Sequence, residues 1–227
     1  ALGTYTNANA AYTAAEKFYN DAVKNAAVLR EELDTLKAQL NTLKDERDAL
    51  QKKVDELAAL PDPAPEQQAE LATAREALTG KKDEIRALEE KYAKLECPVC
   101  SNNSAHRGTP DVPMIIPEIN ADHAEIIPAQ RKRLGTKRGF IAVKSNCSIQ
   151  SYVPALSALM DFEPTEVSVC TYQAISGAGK TFETWPEMVD NVIPYIGGEE
   201  EKSEKEPMKI WGRIEGDHIE PATVPVI

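Results

Sequence analysis

The sequence predicts an α/β (α+β) segment over residues 96–227, preceded by an antiparallel α-helical coiled-coil hairpin over residues 1–95. Three observations carry this. A heptad seam of apolar residues runs through the first part of the chain, and a proline-rich break at 61–65 divides it. Past Leu95 the heptads stop, and Pro, Gly and β-branched residues appear in short strand-like and helix-like runs.

The seam begins at Leu29. Leu36, Leu43, Leu50 and Leu57 form one row, and Leu33, Leu40, Arg47 and Val54 form the other, with Arg47 as the single break. Apolar rows of this period with charged flanks make a coiled-coil stripe, and a helix with one such stripe needs a partner. Pro61-Asp62-Pro63-Ala64-Pro65 cannot continue a helix and reads as a turn. Beyond it Leu71, Leu78, Ile85 and Tyr92 recur every seven residues, beside Ala74, Leu88 and Leu95. Helices over 15–59 and 66–95, folded back on each other, satisfy both patterns. Gly80, which costs about 1 kcal/mol relative to Ala inside a helix, and Lys81 at a seam position mark a junction near residue 80 between sequences of different origin. The hairpin reads first as a scaffold, with dimerisation or partner recognition as the alternative.

After Leu95, Pro98–Ser101, Val112–Ile116, Phe140–Val143 and Glu166–Tyr172 read as strands. A helix opens near Cys147 and extends over the amphipathic stretch Ile149–Met160. A second covers Trp185–Ile196, entered at Pro186 and ended by Gly197-Gly198. Glu199–Lys209 is a charged segment, helical but interrupted by Pro207.

The formal net charge of -11 over 227 residues argues against a nucleic-acid binder, which needs a basic face. No apolar run approaches the roughly 18 residues of a membrane span. Ala1–Ala11 has neither a basic nor an apolar stretch, so no signal peptide is expected and a cytoplasmic, reduced protein is the default. The missing initiator Met suggests processing, excision or engineering. Cys97-Pro98-Val99-Cys100 has the C-x-x-C form, but zinc would need a second ligand pair and no other C-x-x-C is present. An ordinary strand is expected there, with a redox pair as the alternative and no metal.

The strongest chemical signal is Ser145-Asn146-Cys147-Ser148, between an apolar strand and an amphipathic helix. A cysteine at a helix opening gains from the free N–H groups and the dipole, which favour thiolate, the form that attacks a carbonyl carbon. Other segments stand in order around it: Lys81–Glu96, Ser101–Arg107, Asp111–Asn120, Tyr172–Gly179, and Asp190–Ile196 leading to Gly198-Glu199-Glu200-Glu201-Lys202. Together with Asn146-Cys147-Ser148, this ordered set resembles the aspartate-semialdehyde dehydrogenases over about two thirds of the chain, residues 81–227.

The resemblance implies reversible reductive dephosphorylation of aspartyl phosphate with NADP as cofactor, a small-molecule substrate and a homo-oligomer. Carried over by position, Cys147 forms the acyl thioester and Gln173 orients the substrate at the reacting carbon. Asn146 joins the substrate-binding set. Arg107 holds the phosphate or carboxylate with its planar fork, Glu199 meets the substrate amine, and Lys202 the phosphate. Ser176, Gly177, Ala178 and Gly179 border the nicotinamide.

Two of the family's parts are not recognised in this sequence. Gly3 is the one glycine before Gly80, so the dinucleotide fingerprint is not found. None of His106, His123 and His218 lies in the family's acid/base motif. The chain is therefore expected to be inactive alone. Two other classes stand beside this reading. One is a coiled-coil structural protein carrying the dehydrogenase segment. The other is a P-loop hydrolase, because Ala174–Thr181 nearly fits G-x-x-x-x-G-K-[ST].

Overall fold

The computed structural model describes residues 2–58, 60, 62–178 and 180–227, with side chains from Thr13 onward except Ala178. The chain forms two compact units, residues 1–42 and 43–227. The first is the amino-terminal part of helix α1 (Leu2–Ala58). There the hydroxyls of Thr35 and Thr42 donate to carbonyls one turn back, Glu31 at 2.9 Å and Ala38 at 3.2 Å.

The second unit opens with the rest of α1 and continues through α2 (Pro65–Lys94). Proline at the first helical position suits the start of α2, where an N–H would lack an intrahelical acceptor. Pro61, part of the expected turn, lies outside the described residues. Val54 packs with Ala74 and Leu78, and Leu50 and Leu71 flank them. Lys53 pairs with Glu70 at 2.7 Å and Lys81 with Glu46 at 2.9 Å, so these stretches of α1 and α2 run in opposite directions. α2 passes through Gly80 unbroken.

The carboxy-terminal half of α2 belongs to the same core as the residues that follow. Ala93 is buried with Val112, Met114, Ile141, Val143, Ile149, Val153 and Ile210. A Cβ at Gly139 would lie 1.8 Å from the Ala93 carbonyl oxygen, so only glycine allows this approach. Glu96 closes the helix in the left-handed region, φ 64°. Its carboxylate accepts the N–H groups of Lys137, Arg138 and Gly139 at 2.9, 2.5 and 3.0 Å, and these bonds hold it below the usual carboxylate range.

Strand β1 (Pro98–Ser101) pairs in parallel with β2 (Phe140–Val143). Val143 bonds Pro113 and Ile115 through its N–H and C=O, at 2.9 and 3.1 Å. The expected strand Val112–Ile116 is reduced to this single bridge at Met114. Pro113 has no N–H to give, and Asn120 Oδ1 takes the Ile116 N–H at 2.8 Å as the chain turns into α3 (Pro117–Asn120). A 3-10 turn at Ala121–Ile126 leads into α4 (Ile127–Leu134), neither of which was anticipated. Buried Gln130 ties α4 to β2, accepting the Ile141 N–H at 2.6 Å and donating to the Ile141 and Asp111 carbonyls at 2.9 Å.

α5 spans Ile149–Ser157, shorter than expected, with a 3-10 turn following at Met160–Phe162. The expected strand Glu166–Tyr172 is a single bridge, Glu166 to Val226, because no second ladder partner lies beside it among the described residues. The expected helix Trp185–Ile196 is only a 3-10 turn, Pro186–Met188. Asp190 takes the left-handed conformation, φ 57°, which stops propagation, and Pro194 biases the preceding residue away from helix. α6 (Glu199–Ile210) continues through Pro207 rather than breaking there. A hairpin of β3 (Arg213–Glu215) and β4 (His218–Glu220) follows, turning at Gly216 with φ 65°. Trp211 Nε1 donates to Ser157 Oγ at 2.7 Å, fixing the end of α6 on the end of α5. No described helix is long and apolar enough to cross a membrane.

Candidate active site

β2 delivers the nucleophile turn. Ile141 and Val143 are buried, which sets the strand's face, and the chain then leaves the sheet at Lys144–Ser148. Asn146 organises that turn. Its Oδ1 accepts the Ser148 N–H at 3.0 Å, the Ser148 hydroxyl at 2.9 Å and the Cys147 thiol at 3.5 Å. A side-chain amide bonding the backbone two residues on is the usual way such a residue opens a helix. Ile149 and Val153 then anchor α5 in the core. Cys147 is exposed while its neighbours Asn146 and Ser148 are buried. The turn therefore presents the sulfur and hides its support.

α6 supplies that support. Glu199, in its first turn, accepts Asn146 Nδ2 at 3.0 Å and Lys202 Nζ at 2.7 Å on Oε1. Its Oε2 accepts Gln173 Nε2 at 3.1 Å and lies 3.1 Å from the Ser148 hydroxyl, whose single hydrogen it shares with Asn146 Oδ1. Burial pushes the Glu199 carboxyl up, but Lys202, Gln173 and Ser148 outweigh it and hold the group below its ordinary range. Cys147, Asn146, Gln173, Glu199 and Lys202 thus form one connected set.

Arg107 joins the set from another loop. The loop is seated on α2, where Arg86 donates twice to the Ala105 carbonyl, at 3.0 and 2.8 Å. His106 Nε2 donates back to the Arg86 carbonyl at 3.1 Å. Arg107 Nη1 donates to Glu206 Oε1 at 2.9 Å and Nη2 to the Asn102 carbonyl at 3.1 Å. Its buried Nε has no hydrogen-bond partner among the described residues.

Sequence reasoning missed Glu206 and Lys209. Glu206 is buried and its Oε2 accepts the Asn146 N–H at 2.7 Å. Lys209 donates to the carbonyls of Arg107 and Thr109 at 2.8 and 2.6 Å. Burial lowers the Lys209 amine to about 8, with Asp111 and Glu206 pulling it back up. The signal was available: Glu199, Lys202, Glu206 and Lys209 stand three, seven and ten residues along one helix, which puts all four on one face.

The remaining expected positions are less defined. Ser176 and Gly177 lie exposed on a 3-10 turn, Ile175–Ala178, and Gly179 lies outside the described residues. Open space surrounds the place a Cβ would take at Gly177, so a flat ring can approach that backbone. The near-match at Ala174–Thr181 leads into a turn instead of the helix that a P-loop needs. Among the described residues, no group of three His, Cys, Asp or Glu is placed to hold a metal ion.

The parallel pairing of β1 and β2, the cysteine turn ahead of α5 and the Arg107–Glu206 ion pair stand together in one segment of the chain. Residues 156–227 match the family model for the semialdehyde dehydrogenase dimerisation domain. The chain is homologous, over about three fifths of its length, to aspartate-semialdehyde dehydrogenases. It is 44% identical over 131 residues to the Aspergillus fumigatus enzyme, covering 57% of this chain and 36% of that protein. It is 43% identical over 138 residues to the Archaeoglobus fulgidus enzyme, covering 61% and 40%. A crystal structure of aspartate semialdehyde dehydrogenase with NADP from Candida albicans superposes with a TM-score of 0.55 at 30% identity, covering 64% of this chain and 42% of that one. The chain spans about two fifths of the length of the curated relatives it matches.

Proposed function

We propose that residues 96–227 carry the nucleophile and anion-binding half of an aspartate-semialdehyde dehydrogenase site, with Cys147 as the acyl acceptor. The observation that supports this most is the convergence of Asn146, Gln173 and Lys202 on Glu199 and of Arg107 and Asn146 on Glu206, with the Cys147 thiol bonded to the Asn146 side chain. Cys147 sulfur attacks the acyl carbon of aspartyl phosphate. A C–S bond forms, the bond from carbon to the phosphate oxygen breaks, and inorganic phosphate leaves after the thiol proton passes to solvent. Arg107 and Lys202 hold the phosphate, Glu199 receives the substrate amine, and Gln173 orients the acyl group. Ser176, Gly177, Ala178 and Gly179 would border NADP, which when bound supplies or accepts the hydride.

The 227-residue chain is not expected to complete the redox cycle alone. Holding a nicotinamide at near-attack distance is worth about 7–11 kcal/mol of the barrier, and residues 4–79 contain no glycine for a dinucleotide-phosphate turn. General acid/base help, about 10²–10⁴-fold, needs a group beside Cys147, while His106 and His123 are buried in their own hydrogen bonds. The test is phosphate-dependent NADPH formation from aspartate semialdehyde, run beside Cys147→Ala. Equal traces are expected, and turnover well above the control overturns this part.

A helical-hairpin scaffold is the second element of the proposal. The carboxy-terminal stretch of α1 abuts the loop before α6, where a Cβ on Gly197 would meet Asp55 Oδ1 at 2.8 Å. The hairpin thereby braces the site from the side. A coiled coil and a homo-oligomer are proposed with it. Exposed Tyr172, Phe182, Val192 and Tyr195 give the family's dimerisation segment an apolar surface to cover. Four free cysteines suit a reducing, cytoplasmic setting.

A further inference from the structure

We propose that Glu206 is a positioning residue that couples the anion site at Arg107 to the nucleophile turn at Cys147. One buried carboxylate serves both. Oε1 accepts Arg107 Nη1 at 2.9 Å, across 99 residues of sequence, and Oε2 accepts the Asn146 N–H at 2.7 Å, across 60. Asn146 Oδ1 in turn accepts the Cys147 thiol at 3.5 Å. The path from guanidinium to sulfur therefore runs through two residues, Glu206 and Asn146, by hydrogen bonds joined through the covalent frame of each.

The partners of Glu206 leave it little freedom. Its side chain is 9% exposed and that of Arg107 12%. Lys209, three residues further along α6, pins the Arg107 and Thr109 carbonyls, so the loop cannot drift from the helix. Asn146 is gripped at its side chain by Glu199 and at its main chain by Glu206. An arriving anion must share a guanidinium that Glu206 already neutralises. Arg107 Nε is buried and has no hydrogen-bond partner among the described residues, so the guanidinium keeps one donor that Glu206 does not use. As charge on the guanidinium is drawn to the anion, the carboxylate bears more on the Asn146 N–H. Binding of the phosphate end is thus reported to the turn that holds the sulfur, which a residue acting only as packing would not do.

The inference rests on Arg107 being the anion site, so the experiment reads binding and coupling separately. Inorganic phosphate is titrated into the full chain, and binding is followed by ³¹P line broadening. The rate of Cys147 alkylation is measured with and without phosphate by peptide mass spectrometry. In the wild type, saturating phosphate is expected to change the Cys147 rate by about fivefold. In Glu206→Gln, phosphate still broadens but the Cys147 rate no longer responds. An equal response in both proteins overturns the coupling alone. No broadening in the wild type overturns the reading of Arg107, and the coupling with it. If Glu206→Gln does not fold, Glu206→Asp, which keeps the charge but withdraws it by one methylene, carries the test. Its response must fall below that of the wild type, and an undiminished response overturns the proposal.

Discussion

Asn146 and Glu199 stand 53 residues apart in sequence and meet side chain to side chain, Nδ2 to Oε1 at 3.0 Å. That bond closes the nucleophile turn onto α6, and the same carboxylate gathers Ser148, Gln173 and Lys202. Glu199→Ala leaves those donors without their acceptor. The expected cost is about 1–3 kcal/mol, read as a fall in the urea midpoint. The pH dependence has a definite sign. A carboxyl held below its ordinary value of 4.5 contributes stability that is present above that value and is lost as pH falls through the folded one. The gap between wild type and variant should narrow in acid, and a constant gap would show that the bonds to Glu199 are not charge-assisted.

Cys147 is predicted to be the fastest of the four thiols with iodoacetamide at neutral pH. Exposure cannot decide this, because Cys100 and Cys170 are exposed as well. What sets Cys147 apart is its place in the turn immediately ahead of α5, where the positive end of the helix dipole favours negative charge nearby. Time-resolved peptide mapping gives the order. Faster labelling of Cys97, Cys100 or Cys170 would sink the helix-start argument.

Lys209 makes stability rise with pH above neutrality. Burial lowers its amine from the ordinary 10.5 to about 8. Between those values the unfolded chain holds a proton that the folded chain has released, so the group's contribution improves as pH rises through this window. Lys209→Met removes the titration. The stability difference, wild type minus variant, should grow by an amount on the order of 1–3 kcal/mol between about pH 7 and pH 10. A difference that does not move with pH contradicts the burial assigned to this amine.

The paired helices carry their own test. Leu78 is buried with Val54 and Ala74, and truncating a buried leucine to alanine typically costs about 2–5 kcal/mol. Leu78→Ala should lower thermal stability, whereas Lys53→Glu, facing half-exposed Glu70, should cost less than about 1 kcal/mol. Equal losses would mean that the two helices are held by charge and not by the apolar seam.

The legible parts of this chain are those where local pattern and tertiary environment agree. Phe140–Val143 is a short apolar run whose alternate residues are buried, and Asn146-Cys147-Ser148 folds its own turn through a single side-chain amide. Val112–Ile116 and Glu166–Tyr172 look equally strand-like, yet each keeps one bridge, because a strand exists only where a neighbour supplies a ladder. Trp185–Ile196 has helical composition but a left-handed Asp190 at its centre, a choice of backbone that composition does not reveal. Asn146, Cys147, Arg107 and Gln173 lie on loops, and Glu199 and Lys202 in the first turn of α6. Glu206 is not legible in the sequence, because a run of charges reads as a solvated face and only the placement of α6 against Arg107 distinguishes it.

The central claim is that Cys147 accepts an acyl group from a phosphorylated substrate held by Arg107. The direct measurement is peptide mass spectrometry of the 227-residue chain after incubation with aspartyl phosphate, quenched in acid to preserve thioesters, with Cys147→Ala and Arg107→Leu in parallel. The account predicts a single aspartyl adduct on the Cys147 peptide, none in Cys147→Ala, and slower formation in Arg107→Leu. Adducts spread over Cys97, Cys100 and Cys170, or a rate on Cys147 indifferent to Arg107, would contradict it.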